Sequence, residues 1–410
     1  MFNSLPKIIT TTFLSFVFMN ANAQDEYFAS ANNTTGGISN ISKLPDVWAP
    51  LLSSNTFDQI NERYFFIGIG SSSYYHLYTI DATDGNILYD EPLTTLNSGD
   101  ALTNLQYDKA TGNIYAIHWK VNLNEEVFAS IDPANGTITD IKALPDLVYV
   151  QPCYATINST NHTYIFRGQD NSDLRLYTIN IATGDILFSP IMENINPSDS
   201  LMDIKYDAEL KQFFGLHWDD LKGNQNIISI DPKTGIYIVV MSLSGVKEIT
   251  ESNTTYDITH HYLIFNGTDH IGSSRLYTIE VDTAKEIFNP LFPVLPSTAE
   301  NMLALEYCNG LDNLFGLHWG TATTGISNIV KSKAAAFPNP YQNSTSIQLD
   351  KTYSAINVSL YNALGQQVQT ENYHNNSVLT LKRNDLPAGV YFANITADNK
   401  QLEPLSLIIK

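Results

Sequence analysis

The chain has 410 residues, 43% of them hydrophobic and 11% aromatic, which is enough apolar material for buried cores and excludes a disordered protein. Lys and Arg number 22 against 42 Asp and Glu, a formal charge of -20 that repels nucleic acid over most of the surface. The two cysteines, Cys153 and Cys308, are too few and too far apart for a disulfide scaffold or a cysteine-based zinc site, and both are expected to be free.

Residues 1–23 carry one charge, Lys7, then the apolar stretch Ile8 to Met19, then Ala21-Asn22-Ala23 with small residues at the -3 and -1 positions. This is the pattern of a signal peptide cleaved before Gln24. The apolar run is shorter than the roughly 20 residues needed to span a bilayer, and no later stretch reaches that length, so no transmembrane segment is expected in the mature chain.

Residues 24–334 carry 16 basic and 37 acidic residues and repeat themselves. Leu77-Tyr78-Thr79-Ile80, Leu176-Tyr177-Thr178-Ile179 and Leu276-Tyr277-Thr278-Ile279 recur every 99 to 100 residues, and His118-Trp119, His217-Trp218 and His318-Trp319 every 99 to 101. Each unit divides again into two strand-turn-strand halves, so the elementary period is near 50 residues with four short strands. That is the pattern of a propeller blade, and six blades are expected, in three double-blade repeats. Glu26-Tyr27-Phe28-Ala29-Ser30 through Leu44-Pro45-Asp46 aligns with Glu126-Val127-Phe128-Ala129-Ser130 through Leu144-Pro145-Asp146, so the chain begins halfway through a blade. The N-terminal strands are therefore expected to complete blade six, with one strand or two, because Gly325 to Ser332 also has the pattern of an outer strand. Units such as Leu77 to Leu88 resemble pyrroloquinoline-quinone-type propeller repeats. The Asp and Gly of their turns are explained by turn capping and a left-handed backbone, without a metal.

The three His-Trp pairs suggest a zinc site of three imidazoles, but they fall on the second strand of blades two, four and six, one strand away from the axis, where hydrogen bonding to neighbouring strands is expected. On the innermost strands of those blades the matching positions diverge: Asn104 and Gln106, Asp203 and Lys205, Ala304 and Glu306. Divergence where symmetry demands none points to a central ligand pocket formed by Asn104, Gln106, Asp203, Lys205 and Glu306. His118, His217 and His318 are further candidates for ligand contact at one face. Which side of the strand these residues occupy is undecided, since a one-residue slip exchanges the faces. Trp48, Tyr74, Tyr75 and Tyr149 are loop aromatics on which a sugar ring could stack. No G-x-S-x-G, H-E-x-x-H, EF-hand, P-loop or dinucleotide motif occurs, so no catalytic residue, metal or cofactor is expected.

The last 76 residues change character, with five basic and five acidic residues. Short apolar or alternating runs at 356–361, 367–370, 377–381, 389–395 and 405–409 predict a small immunoglobulin-like β-sandwich. Phe337-Pro338-Asn339-Pro340, Ser359 to Val368, Leu386-Pro387-Ala388-Gly389-Val390-Tyr391-Phe392 and the terminal Ile408-Ile409-Lys410 resemble the type A C-terminal sorting domain of the Bacteroidetes type IX secretion system. Its motif positions here are Pro338, Asn339, Pro340, Gly365, Gly389, Tyr391 and Lys410, with both glycines expected at turns of positive φ. The resemblance implies Sec export, then passage to the cell surface or medium by the type IX machinery, cleavage by its sortase, and attachment to surface lipopolysaccharide. Asp199-Ser200-Leu201 and Asp282-Thr283-Ala284 resemble O-glycosylation sites of such exported proteins.

The whole chain is thus expected to be all-β, a secreted or cell-surface propeller that binds a glycan or protein. The rivals are a propeller hydrolase, lyase or quinone-dependent oxidoreductase, and a structural surface protein. Clustered carboxylates or a metal at the axis favour an enzyme, whereas an aromatic, asymmetric loop face favours a binder.

Overall fold

A computed structural model describes residues 25–44, 47–70, 74–192, 199–292, 301–320, 329–330, 335–362, 367–384, 386–398, 400–402 and 405–410. The signal peptide therefore lies outside the described residues. Every regular element within them is a β-strand, and no helix is long and apolar enough to cross a membrane.

Runs of seven or eight residues rich in aromatic and aliphatic side chains, such as Arg63–Gly70, separated by turns of Asp, Asn and Gly, fold the described residues between 25 and 320 into six four-stranded antiparallel sheets. Sheets one to five run outward in chain order, from innermost strands Val47–Asp58, Ala101–Asp108, Tyr149–Asn158, Ser200–Asp207 and Glu248–Asp257. Sheet six begins with Asn301–Cys308 and Asn313–Gly320 and is completed by the N-terminal strands Asp25–Ala31 and Ile38–Lys43. Two N-terminal strands, not one, make this closure. Of the competing segment the described residues are Ile329–Val330, and they pair in parallel with Lys400–Leu402 of the tail.

Each innermost strand packs against the next, and that of sheet six against that of sheet one. The hydroxyls of Thr56, Thr156 and Thr255 staple these strands, accepting the backbone N–H of Tyr107, Tyr206 and Tyr307 on the following sheet at 2.8, 3.1 and 2.8 Å. The apolar cores lie between sheets and alternate in kind. Phe66 stacks on Tyr78, Phe166 on Tyr177 and Phe265 on Tyr277 at 4.9 to 5.3 Å, so the six–one, two–three and four–five interfaces are aromatic. The interfaces between them are mostly aliphatic, built from residues such as Ile67 and Leu105, Ile165 and Ile204, Ile264 and Leu305. Two kinds of interface explain why the sequence repeats every 100 residues rather than every 50.

In five of the six sheets the turn joining the third and fourth strands opens on Asp or Asn and closes on Gly, and the opening side chain takes turn N–H groups, as Asp81 does from Thr83 at 2.9 Å. Their glycines have φ near 70° and touch the outer strand of the preceding sheet. A Cβ on Gly184 would lie 2.4 Å from the Cβ of Lys142, and one on Gly235 2.6 Å from the Ile191 carbonyl. At sheet one the same turn meets the N-terminal strand, where the Ser42 hydroxyl donates to the Gly85 carbonyl at 2.6 Å. Sheet five departs from the rule with Ala284 at φ 53°.

The tail is a separate antiparallel sheet system with its own core of Tyr341, Ile347, Leu360, Leu379, Tyr391, Ile395, Leu407 and their neighbours. Two long strands, Ser344–Asn362 and Gln367–Lys382, run through it. Gly389–Ala397 pairs with the first, and Leu405–Ile409 pairs with Gly389–Ala397.

Candidate functional site

Every innermost strand of the six sheets is interrupted by a register shift at its centre, between Thr103 and Gln106, Met202 and Lys205, and Leu303 and Glu306 in the even sheets. Asn104, Asp203 and Ala304 occupy these bulges with φ of 61°, 46° and 56°, and Ser53 of sheet one has φ 65°. The bulge cancels the strict in-and-out alternation of a strand. Residues two apart and their neighbour therefore reach the same place, a polar cavity of about 30 Å³ lined by Ser53, Asn55, Asn104, Gln106, Asp203, Lys205, Thr254 and Glu306 among others. The five axial residues singled out in the sequence meet here. Ser53, Asn55 and Thr254, from sheets one and five, were not anticipated, because only the even sheets had been compared.

The cavity is knit across sheets. Glu306 accepts from Asn55 Nδ2 at 2.9 Å and from Thr255 Oγ1 at 3.5 Å, and Asp203 accepts from Thr254 Oγ1 at 2.9 Å. Asn104 donates to the Gln151 carbonyl and accepts the Tyr154 N–H, both at 2.9 Å. Burial pushes the Glu306 carboxyl up, against the pull of the Lys205 ammonium and the two hydrogen bonds. About 30 Å³ accommodates a water or a small ion and not a sugar ring.

The three histidines do not converge on it. Each is buried and tied within its own sheet: His118 Nδ1 to Asp140 at 2.9 Å, His217 Nε2 to Asp199 at 3.4 Å, and His318 Nδ1 to Asn40 at 2.6 Å. Asp100 and Asp199, just before the innermost strands, each also accept a backbone N–H from beyond the second strand, Val121 at 3.0 Å and Asp220 at 2.9 Å. Among the described residues, one group has metal-ligand atoms within 4.8 Å of one another, Asp257, His260 and Asp312. Its atoms are already engaged: Asp257 caps the turn through Thr259 N–H and holds His260, while Asp312 accepts from the Tyr307 hydroxyl.

A larger recess lies at the rim. Lys142, Leu144, Pro145, Asp146 and Leu147 of sheet two and Tyr177, Gly184, Asp185 and Ile186 of sheet three enclose about 410 Å³, within the range of small-ligand sites. Lys142 and Asp185 form an ion pair across it. The Leu-Pro-Asp sequence at 144–146, repeated at 44–46, was the available sign of this groove.

Of the four aromatics expected on loops, Tyr74 alone lies outside a strand, and it is exposed; Tyr149 is exposed at the start of Tyr149–Asn158, Tyr75 opens the third strand of sheet one, half-buried with its hydroxyl pKa raised by burial, and Trp48 belongs to Val47–Asp58 with its side chain outside the described residues. Cys308 is free and buried, its thiol pushed up to about 11 by burial, and the side chain of Cys153 is outside the described residues. Asp199 is buried with Leu201, whereas Asp282-Thr283-Ala284 lies in an exposed turn.

In the tail, Pro338 and Pro340 have no N–H to pair, and the Asn339 amide replaces it: Nδ2 donates to the Ser406 carbonyl at 2.7 Å and Oδ1 accepts from Ile408 N–H at 2.8 Å. Tyr391 donates its hydroxyl to the Pro387 carbonyl at 2.8 Å, and Lys410 N–H bonds the Tyr341 carbonyl at 2.9 Å. Gly389 opens a strand and is not among the residues of positive φ, which corrects the turn expected there. Gly365 lies outside the described residues.

No curated protein matches the chain. Among solved structures, a TolB-type protein from Agrobacterium tumefaciens is similar at 9% identity and a TM-score of 0.51, covering 73% of this chain and 100% of its own. An oligogalacturonate lyase in complex with manganese follows at 10% identity and 0.45, covering 74% and 99%. At 9% identity the likeness to the first shows a β-propeller fold alone. Residues 335–410 match the family described as the secretion system C-terminal sorting domain, so this chain carries a sorting tail of the type IX kind.

Proposed function

We propose that residues 24–334 form a six-bladed propeller of three double-blade repeats, preceded by a cleaved signal peptide at 1–23 and followed by an immunoglobulin-like sorting domain at 335–410. Its task outside the cell is to bind a glycan or protein ligand. The observation that carries this reading is the contrast between the two recesses. The axial carboxylates Asp203 and Glu306 already accept hydrogen bonds from neighbouring sheets in about 30 Å³, while the groove between sheets two and three offers about 410 Å³ with a charged pair, a tyrosine and apolar walls. Anchoring to surface lipopolysaccharide after sortase cleavage would display this groove to the medium.

The test is a thermal-shift screen of the full chain against polysaccharides, calcium, zinc, EDTA and pyrroloquinoline quinone, since a ligand at 100 times its Kd stabilises by about 2.7 kcal/mol. A glycan shift abolished by Lys142→Ala supports the groove. A shift with metal or quinone instead moves the reading to an enzyme. That second reading rests on two carboxylates and Lys205 sharing one cavity, and it requires a turnover that Glu306→Gln removes.

A further inference from the structure

Each of the six four-stranded sheets ends on a fourth strand whose outer edge pairs with nothing among the described residues. Such an edge is a template for any other strand unless charge, proline or shortness blunts it. Five of the six edges are blunted. Ile87–Pro92 of sheet one has Asp90, Glu91 and Pro92, Ile138–Ala143 of sheet two has Asp140 and Lys142, and Ile38–Lys43 of sheet six ends on Lys43. Ile186–Phe188 of sheet three is only three residues long, and Lys285–Phe288 of sheet five has four, two of them charged. Tyr237–Leu243 of sheet four has none of these devices: it runs seven residues, and no charge or proline stands between Lys233 and Lys247. A bulge in the pairing of third and fourth strands is common to all six sheets, so it does not set this edge apart.

The bare edge is held firmly on its inner side. Tyr237–Leu243 pairs along its length with Asn224–Ile230, the Ser242 hydroxyl donates to Asn226 Oδ1 at 2.8 Å, and the Tyr237 ring lies 5.1 Å from that of His217. Outward, Ile236, Ile238 and Val239 are 57, 65 and 49% exposed. The apolar ground continues onto sheet three, where Leu187 and Phe188 are exposed and Lys233 Nζ sits 5.6 Å from the Phe188 ring.

Charge and symmetry select the occupant. Residues 211–247, the second to fourth strands of sheet four with their loops, hold four Lys and three Asp, a net +1 on a chain of -20. Two copies meeting there bring together nearly neutral surface, and the acidic remainder is screened over about 8 Å at physiological salt. Antiparallel pairing of two identical strands is two-fold symmetric, so it satisfies both edges at once and stops at a dimer. We propose that Tyr237–Leu243 pairs antiparallel with the same strand of a second copy, joining the two fourth sheets into one and covering Ile236, Ile238 and Val239. The inference is independent of what the groove between sheets two and three binds.

The experiment is sedimentation velocity of the full chain from about 1 to 100 μM. The wild type should pass from monomer to dimer. Val239→Lys, which gives this edge the kind of charge its counterparts carry, should raise the dimer dissociation constant about tenfold or more. Leu88→Lys, equally a gain of one positive charge but on the exposed outer strand of sheet one, should leave it unchanged. Added salt should strengthen association, because it screens the repulsion between two acidic bodies and leaves backbone pairing intact. Amides of residues 237–243 should exchange more slowly as concentration rises. A wild type that stays monomeric, or that grows past the dimer, overturns the proposal. So does a dimer that Val239→Lys leaves intact, that Leu88→Lys weakens equally, or that salt breaks. If Val239→Lys melts below Leu88→Lys, Ile238→Lys decides, and a dimer that survives it is a refutation.

Discussion

Glu126 is buried at the start of the third strand of sheet two, 7% exposed, and burial alone pushes its carboxyl from an ordinary 4.5 up to about 7. The native chain therefore binds a proton more tightly than the unfolded chain between those values. This group's contribution to stability is most favourable below about pH 4.5, falls as pH rises through 7, and above that carries the full cost of a buried carboxylate. A shift of this size corresponds to about 3 kcal/mol. Glu26, at the equivalent place in sheet six, is raised by the same cause, and neither of its carboxylate oxygens has a hydrogen-bond partner. The third repeat carries Gln225 at this position, also buried. Glu126→Gln thus installs a residue that the fold already accepts and removes the ionisation. After about 1 kcal/mol for a buried amide without ideal partners, the expected gain at pH 8 is about 2 kcal/mol, or a rise of about 3 °C in the melting temperature of a sheet assembly of this size. At pH 4.5, where the carboxyl is neutral in the folded chain, the amide's cost remains and the variant should be slightly less stable than the wild type, by up to about 1 kcal/mol. Melting of the full chain by circular dichroism at pH 4.5, 6 and 8 reads both quantities. A variant that melts at or below the wild type at pH 8, or whose gain is the same at all three pH values, would refute the reasoning.

Three further outcomes follow from the same structure. Ala284→Gly should stabilise by about 1 kcal/mol, because alanine at φ 53° occupies the left-handed conformation that glycine takes in the equivalent turns; an unchanged or lower urea midpoint contradicts this. Tyr164→Phe leaves the Asn104 carbonyl without the hydroxyl that donates to it at 2.6 Å, at a cost of about 1–2 kcal/mol in chemical denaturation, and Tyr64→Phe should do the same at the Ala304 carbonyl. Deleting residues 25–44 removes two of the four strands of sheet six and exposes the edge of Asn313–Gly320, so the truncated chain should aggregate on gel filtration where the full chain does not.

Much of the architecture was legible because it is written in repeats. The alignment of Glu26–Ser30 with Glu126–Ser130 located the N-terminal strands, and the turn Asp and Gly were explained by local geometry before any contact was known. The axial cavity was half legible. Divergence among Asn104, Asp203 and Ala304 marked the place, but the bulge at those residues destroys the period-two pattern by which a strand's faces are assigned. The threonine staples were invisible for a different reason: Thr56, Thr156 and Thr255 repeat faithfully, yet nothing local distinguishes a threonine that accepts from the next sheet from any other in a strand. The rim groove depends on how one sheet's outer strand meets the next sheet's turn, a tertiary relation that the repeated Leu-Pro-Asp at 44–46 and 144–146 does not by itself reveal.

The internal repeat also serves as a control for the two recesses. Several positions that keep the fold are the same in all three repeats, namely the threonines that link neighbouring innermost strands and the Phe–Tyr stacks that fill three of the interfaces. The axial positions differ in charge as well as size: Asn, Asp and Ala at one level, Gln, Lys and Glu at the other. A plug that merely closed the ring could be built three times from the same residue, as the threonines are. Placing Lys205, Asp203 and Glu306 together instead costs desolvation that their hydrogen bonds and mutual attraction only partly offset, as the upward push on Glu306 records. The asymmetry of the axis is therefore a departure from what closure alone requires, and Lys205→Met with Glu306→Gln measures it. Stability that rises while ligand binding in the groove is unchanged would show that the axial charges serve something other than the ring.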